Sequence, residues 1–150
     1  SRNMVLYIAK KDSPQPIRLM SSVGKQLPLY CTGLGRALLA YKSEEEIRSL
    51  FPEVLTAYTP HTIATINDLL KELELTRQRG YAVEHEETNL MVNCIAVSLD
   101  YNNAPIAALS ISIPTFRISE SKEKEAVQIL WEAKQHIETH FKMYGVDFGN

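Results

Sequence analysis

The sequence has little cysteine and no long hydrophobic run. Its two cysteines, Cys31 and Cys94, lie far apart in the chain, and the sequence shows neither a signal peptide nor a transmembrane segment. Disulfide frameworks are typical of secreted proteins, and membrane anchors are typical of membrane proteins. Two distant cysteines without a signal peptide favour reduced thiols. We therefore expect a cytoplasmic location, free cysteines and no membrane partner.

An excess of charge of one sign is also missing. The formal net charge is −2 and the isoelectric point is about 6.1, with Lys and Arg scattered between acidic residues. A nucleic-acid surface needs basic side chains that cluster on one face. We therefore expect no DNA contact on this chain.

The motifs of the common cofactor and metal sites are absent. The chain has no Gly-Lys-Ser/Thr, and the Gly-x-Gly at Gly33 and Gly35 lacks the third glycine of a dinucleotide fingerprint. The pair His136 and His140 has its glutamate at the wrong spacing for a zinc-protease helix. We expect no cofactor and no metal.

The length and the 45% hydrophobic content predict one domain over residues 1–150. Alternation, turn residues and helix signals along the chain predict a mixture of helices and strands. The predicted strands are 4–10, 17–21, 81–83, 91–99 and 105–113, with the first two paired antiparallel and 84–87 forming a bend. The predicted helices are 33–41, one capped by Ser43, one that begins at Thr65 or Asn67 and ends at Gly80, and a long last helix from Ser119 or Ser121.

The segment 27–40 runs from an extended stretch through Gly33 and Gly35 into a strong helix former, with Thr32 as the expected cap. The first turn of a helix carries unpaired backbone N–H groups and the positive end of the dipole, and glycine allows close approach. This pattern indicates a cradle for a carboxylate or a phosphate. The alternative is a glycine-bearing turn that lets the helix pack closely on a sheet.

Strands 91–99 and 105–113 are predicted to form a hairpin. A three-residue loop at 101–103 places Cys94 opposite Ser110, and residue 92 opposite Ser112. Parity then gives one bulky face, which should pack on helices, and one face of small, partly polar residues. Small polar side chains can line a cavity for a polar ligand, although they also suit tight helix packing. The bulky face has Ile95, Val97, Leu99, Leu109, Ile111 and Ile113, and the small face has Cys94, Ala96, Ser98, Ala108, Ser110 and Ser112.

A catalytic thiol is a competing interpretation. One of the cysteines could act as a nucleophile with His61 or His85 as its base and Glu87 as the group that orients the imidazole. Nothing in the spacing singles out such a pair, and a buried cysteine is usually a small apolar residue. The acidic run 84–87 could bind a metal or position a hydroxylated ligand, although most such runs are solvated loops.

Several blocks of sequence, spread over almost the whole chain, match one family. They are 27–40, 58–63, 79–87, 93–96 and 107–112. On these blocks the chain resembles the effector-binding domain of IclR-type bacterial transcriptional regulators. The resemblance runs from about residue 4 to residue 141, which makes it more specific than any single motif.

The resemblance implies a GAF/PAS-like α/β (α+β) fold, with a central antiparallel β-sheet flanked by helices. It implies no catalysis: the domain binds a small carboxylate effector, a 2-keto acid or a sugar acid. The signal passes to an N-terminal winged helix-turn-helix domain, absent from this chain, through which alone the protein contacts DNA. The family also implies a homodimer or homotetramer. The ligand-binding residues carried over from the family are Gly33, Leu34, Glu84, Cys94, Ser110 and Ser112.

Two positions depart from the usual pattern of the family: Glu84 stands where Asp is frequent, and Arg36 stands where Lys is usual. The longer acid reshapes the pocket. Segments 5–7 and 13–18 look most like those of family members that respond to sugar-acid breakdown products such as 2-keto-3-deoxygluconate. A short 2-keto acid is the alternative ligand. The alternatives are a small enzyme that uses a Cys or Ser in the same pocket, and a structural dimerisation module without a pocket.

Overall fold

The computed structural model describes residues 3–12 and 23–149. These residues form two strands, then three helices, then three strands, and last a 3-10 helix and a long helix. In order they are β1 (Met4–Leu6), β2 (Gln26–Pro28), α1 (Gly33–Leu39), α2 (Glu44–Leu50), α3 (Ile66–Arg79), β3 (Ala82–His85), β4 (Val92–Tyr101), β5 (Ala104–Pro114), a 3-10 helix (Thr115–Arg117) and α4 (Glu120–Tyr144). The predicted strand 17–21, and its predicted pairing with 4–10, lie outside the described residues.

Two antiparallel sheets form within the described residues. β1 is shorter than the predicted strand 4–10 and pairs with β2, whereas β3, β4 and β5 form a second sheet in that order. β3 continues through Glu84 and His85, because both residues pair with β4. The prediction of a bend at these two residues was wrong. The predicted α/β fold with antiparallel strands and flanking helices is confirmed.

Side-chain caps fix the starts of the helices. Thr32 and Ser43 cap α1 and α2 through their side-chain oxygens, as predicted. For α3 and α4 the sequence offered two candidate caps each. In the structure the caps are Thr65 and Ser119, which have the extended backbone just outside the helix that an N-cap requires. Gly80 ends α3 in the left-handed conformation with φ of 83°. These local signals therefore predict the helix starts and the end of α3, whereas α1 ends at Leu39, two residues before the predicted end.

The turn between β4 and β5 is one residue shorter than predicted. Tyr101 pairs with Ala104, so that Asn102 and Asn103 alone form the turn, with φ of 52° and 62°. Two consecutive residues with positive φ are typical of a type I′ turn, whose twist matches that of the paired strands, and Asn tolerates this conformation. The predicted three-residue loop was wrong.

The register of this hairpin also differs from the prediction. A bulge between Leu99 and Asp100 moves the pairing by one further residue, so that Cys94 lies opposite Ser112 and not opposite Ser110. The shorter turn and the bulge together displace the register by two residues. Because side chains alternate with a period of two, an even displacement leaves Cys94, Ser110 and Ser112 on one face. The predicted pairing was wrong, and the predicted common face is confirmed.

The two faces of the three-stranded sheet pack against different helices. On the bulky face, Ile95 and Val97 are buried with Val127 and Leu130 of α4, as predicted. On the other face, Ala96 belongs to the main core, which includes apolar residues of α1 and α3. The face of small residues is therefore directed toward α1.

Candidate functional site

Three of the predicted ligand residues form a row across neighbouring strands. Glu84 of β3 lies opposite Cys94 of β4, and Cys94 lies opposite Ser112 of β5. Opposed residues of an antiparallel sheet project to the same face, on strands that are roughly 4.8 Å apart. The Cys94 sulfur and the Ser112 hydroxyl oxygen are 3.2 Å apart. The row therefore presents a carboxyl, a thiol and a hydroxyl side by side.

Ser110 shares the face of this row but lies one residue pair farther along it. Its partner on β4 is Ala96, two positions from Cys94. The side chain is half-buried, as is that of Ser112. The structure thus brings both predicted serines to the same face, with Ser112 in the row and Ser110 beside it.

The start of α1 lies directly on the row. A Cβ atom built on Gly33 would be 3.2 Å from the Cβ atom of Cys94 and 3.4 Å from that of Ala96. Contacts this short mean that even a methyl group at this position would force Cys94 or Ala96 to move by a few tenths of an ångström. Close packing therefore accounts for this glycine, which was the alternative interpretation of the sequence. The same packing places Gly33 and the buried Leu34 next to the row.

Gly35 is required for a different reason. A Cβ atom at this position would lie 2.1 Å from the carbonyl oxygen of Leu29. The first turn of α1 therefore lies directly against the backbone of Leu29, and only glycine fits at this close approach. The Thr32 hydroxyl secures this arrangement, since it accepts from the Gly35 amide at 3.1 Å and donates to the Pro28 carbonyl at 2.8 Å.

Glu84 is the most buried polar residue of the predicted set, with 2% of its surface exposed. Its Oε1 atom accepts from the Thr88 amide at 3.3 Å and from the Thr88 hydroxyl at 3.1 Å. Its Oε2 atom is buried and has no hydrogen-bond partner among the described residues. Burial disfavours the charged form and raises the pKa of Glu84 to about 7, against the opposing effect of Thr88. At neutral pH both protonation states are therefore populated.

Tyr7 is a residue of this site that sequence reasoning missed. Burial raises the pKa of its phenol to about 12, and the proximity of Cys94 and Glu84 adds to the effect. The phenol therefore lies close to the row. Parity was the available signal, because Tyr7 follows the buried Val5 by two positions in an extended segment.

A buried ion pair behind the row was also missed. Arg36 of α1 is 1% exposed and Glu87 is 5% exposed, and the Nη2 atom of Arg36 lies 2.5 Å from Oε1 of Glu87. Each charge needs the other, because an isolated buried charge is strongly unfavourable. The signal in the sequence was an arginine inside an otherwise apolar helix, which demands an acidic partner elsewhere in the chain.

The contacts of the histidines and thiols do not favour nucleophilic catalysis. His85 hydrogen-bonds Asn93 at 3.1 Å, and His61 lies 3.5 Å from the carboxylate of Glu86. Burial raises the pKa of both cysteine thiols to about 12. A catalytic thiol needs the opposite shift, toward the thiolate. Among the described residues, no group of three or more His, Cys, Asp or Glu side chains is placed to hold a metal ion.

Two surface grooves lie away from the row. One runs between α2 and α3 and includes Lys71 and Arg77, and the other lies at the turn of the hairpin and includes Asn102 and Glu138. None of the six predicted ligand residues lines either groove. Within residues 3–12 and 23–149, no helix has the length and apolar character needed to cross a membrane.

Comparison with known proteins places these features in a family. The family model for the C-terminal region of the bacterial transcriptional regulator IclR matches residues 1–139. The HTH-type transcriptional regulator KdgR of Dickeya chrysanthemi is 39% identical over 135 residues, which cover 89% of this chain and 44% of the relative. The chain thus spans about half the length of the curated relatives that it matches.

Solved structures agree with this likeness. The C-terminal domain of the E. coli transcriptional regulator KdgR has a TM-score of 0.75 and 35% identity, covering 83% of this chain and 75% of that chain. The inducer-binding domain of a PobR double mutant from Acinetobacter, in complex with 3-hydroxybenzoic acid, has a TM-score of 0.80 and 27% identity, covering 92% and 83%. The fold predicted from the sequence is therefore also that of solved relatives.

Proposed function

The chain belongs to the family of C-terminal domains of IclR-type bacterial transcriptional regulators, and we propose that it senses a small carboxylate metabolite for such a regulator. A 2-keto acid or a sugar acid suits the chemistry of the site best. No covalent step is involved. The ligand acts by preferring one conformation of the protein, and it shifts the equilibrium only by the strength of that preference.

The observation that carries this proposal is the row of Glu84, Cys94 and Ser112 beneath the start of α1. A buried polar atom without a partner is unfavourable, and the Oε2 atom of Glu84 finds none in the part of the chain that the structure describes. A ligand hydroxyl would give this oxygen a hydrogen bond. The hydroxyls of Ser110 and Ser112 can both donate and accept, so that they can hold the keto or hydroxyl oxygens of the same ligand.

We assign the carboxylate of the ligand to the backbone at Gly33 and Leu34. The first N–H groups of a helix have no acceptor within the helix and suit an anion. At the other end of the row, the ionised form of Glu84 would repel a carboxylate. The two ends of the site therefore bind different groups of one ligand, the carboxylate at the start of α1 and a hydroxyl at Glu84.

The ligand of a relative supports this class. The Acinetobacter inducer-binding domain is described in complex with 3-hydroxybenzoic acid. That molecule carries one carboxylate and one hydroxyl, which are the two kinds of group that the row would read. The support concerns the class of ligand alone, because that domain is only 27% identical to this chain.

We propose that residues 1–150 form one domain of a longer regulator. A winged helix-turn-helix domain at the N-terminal side would contact DNA, and the ligand would modulate that contact in the cytoplasm. We further propose a homodimer or homotetramer, which light scattering of the full-length protein tests. The names of the curated relatives, an HTH-type transcriptional regulator and an HTH-type transcriptional repressor, support the role in transcription.

Thermal unfolding in the presence of 2-keto acids and sugar acids tests the proposal. A ligand at about 100 times its Kd adds about 2.7 kcal/mol, which raises the Tm of a domain of this size by about 5–10 °C. In the double variant Ser110→Ala/Ser112→Ala this rise should disappear. The free energy of unfolding without ligand should stay within about 1–2 kcal/mol, because these changes leave little cavity.

Ser98→Ala is the matched control. Ser98 shares β4 and the small face with Cys94 but lies four residues along the strand, roughly 13 Å away. This variant should keep the full rise in Tm. If no acid changes the Tm of the unaltered protein, the proposal is wrong. If the double variant responds like the unaltered protein, the two serines do not hold the ligand.

A further inference from the structure

Arg36 connects both ends of the proposed ligand site. Its Nε atom donates to the carbonyl of Tyr30 at 3.0 Å, two residues before the cap of α1. Its Nη1 atom donates to the carbonyl of Val83 at 2.9 Å, directly before Glu84. Both acceptors are backbone atoms in segments that carry proposed ligand residues. One side chain therefore fixes the separation between the start of α1 and β3.

The third arm of Arg36 reaches a segment outside the site. Its Nη2 atom donates to Oε1 of Glu87 at 2.5 Å, and the same oxygen accepts from the amide of Ile63 at 2.9 Å. The carbonyl of Glu87 accepts from the Thr62 hydroxyl at 2.6 Å. The segment 58–63 is therefore held by the acid to which Arg36 is paired.

We propose that Arg36 is a positioning residue for ligand binding, and that its pair with Glu87 couples the ligand site to the segment 58–63. The inference rests on the proposed function. A ligand that spans the start of α1 and Glu84 is sensitive to the distance between them. A change in that distance on binding must move the guanidinium, and with it the carboxylate that holds the Ile63 amide. The hydrogen bonds form one continuous chain from the site to this segment, along which such coupling can be carried.

The shape of the guanidinium explains why a lysine at this position could not make the same three directed contacts. A guanidinium spreads five N–H donors over three nitrogens in one plane, whereas an ammonium group has a single nitrogen. Arg36→Lys therefore keeps the positive charge that Glu87 needs but loses directed contacts to Tyr30 and Val83. We expect this variant to fold and to hold the two ends of the site less firmly.

Isothermal titration with 2-keto-3-deoxygluconate and with pyruvate tests the positioning role. Arg36→Lys should weaken the binding of 2-keto-3-deoxygluconate by about tenfold or more, because the hydroxyls of this acid reach Glu84 in the proposed site, and should weaken the binding of pyruvate less. Arg77→Lys is the matched control, because Arg77 donates to the carbonyl of Ala40 at 2.5 Å, at the opposite end of α1. Its Kd should stay within about twofold of the unaltered value, since this contact lies far from the row.

Hydrogen exchange of the Ile63 amide tests the coupling. In the unaltered protein, saturation with the bound acid should slow this exchange, although Ile63 lies outside the row. In Arg36→Lys at saturation, the slowing should be lost at Ile63 and retained at the first amides of α1. A merely structural role of Arg36 would change exchange at both places alike, with or without the acid.

Equal affinity in Arg36→Lys and the unaltered protein overturns the proposal. An Ile63 amide that does not respond to the bound acid in the unaltered protein also overturns it, and this measurement stays decisive if the variant fails to fold. If neither acid nor any other tested carboxylate binds the unaltered protein, the proposed function fails and the inference falls with it. Binding without these effects refutes the inference alone.

Discussion

Glu84 should make the protein less stable as the pH rises through neutrality. Burial raises its pKa from the ordinary value of 4.5 to about 7 in the folded state. A raised pKa means that the folded state binds the proton more tightly than the unfolded state. The corresponding stability is present below the ordinary pKa and is lost as the pH rises through 7. At about 1.36 kcal/mol per pH unit, the full loss is about 3 kcal/mol.

The variant Glu84→Gln isolates this contribution. Glutamine is neutral at every pH, and its amide oxygen can still accept the two hydrogen bonds from Thr88. The variant should therefore lack the pH-dependent loss. Between pH 5 and pH 8.5 the difference in unfolding free energy should change by about 2–3 kcal/mol in favour of Glu84→Gln.

Urea unfolding of both proteins from pH 5 to pH 8.5 measures this difference. The titratable groups that interact with Glu84 are Tyr7, the two cysteines Cys31 and Cys94, and the Arg36–Glu87 pair. The pKa values of the phenol and of both thiols are about 12, which keeps these three groups uncharged over this range. As a control, Glu45→Gln on the exposed surface of α2 should leave the pH dependence unchanged. A difference between Glu84→Gln and the unaltered protein that is constant with pH would refute the argument from burial.

Two further predictions concern the start of α1 and the choice of ligand. Gly35→Ala should destabilise the protein by about 3 kcal/mol or more in urea unfolding, because its Cβ atom would lie 2.1 Å from a backbone oxygen, whereas Gly33→Ala should cost about 1 kcal/mol; equal costs would contradict this. In isothermal titration, Glu84→Gln should weaken a polyhydroxylated acid by about tenfold or more and leave pyruvate nearly unchanged or tighter. Equal losses for both acids would mean that Glu84 shapes the pocket and does not read hydroxyls.

Local features of the fold could be predicted from the sequence. The caps Thr32 and Ser43 and the stop at Gly80 depend on a few neighbouring residues, and the structure has them where they were predicted. The two faces of β4 and β5 also follow from a local rule, the alternation of side chains. These rules placed Cys94 with both serines before any long-range contact was known.

Features that depend on distant contacts could not be predicted in this way. The register of the hairpin depends on a turn and a bulge that compensate each other, and the sequence pattern is compatible with both hairpins. The partner of Arg36 is 51 residues away in the chain, and no spacing rule connects the two. The pKa of Glu84 depends on how completely α1 and the sheet enclose it, which is a property of the packed structure.

The bulge in the hairpin also determines how related sites can be found in other sequences. With the Asn102–Asn103 turn alone, a regular ladder would pair Cys94 with Ile111 and direct both serines toward α4. Because the bulge adds one residue, Cys94 pairs with Ser112, and the two residues are an even number of positions apart in the sequence. In a relative with the same turn and no bulge, the serine that pairs with the cysteine would come one residue earlier. The spacing between cysteine and serine would then be odd, although both side chains would lie on the same face. Searches for this site should therefore accept both spacings.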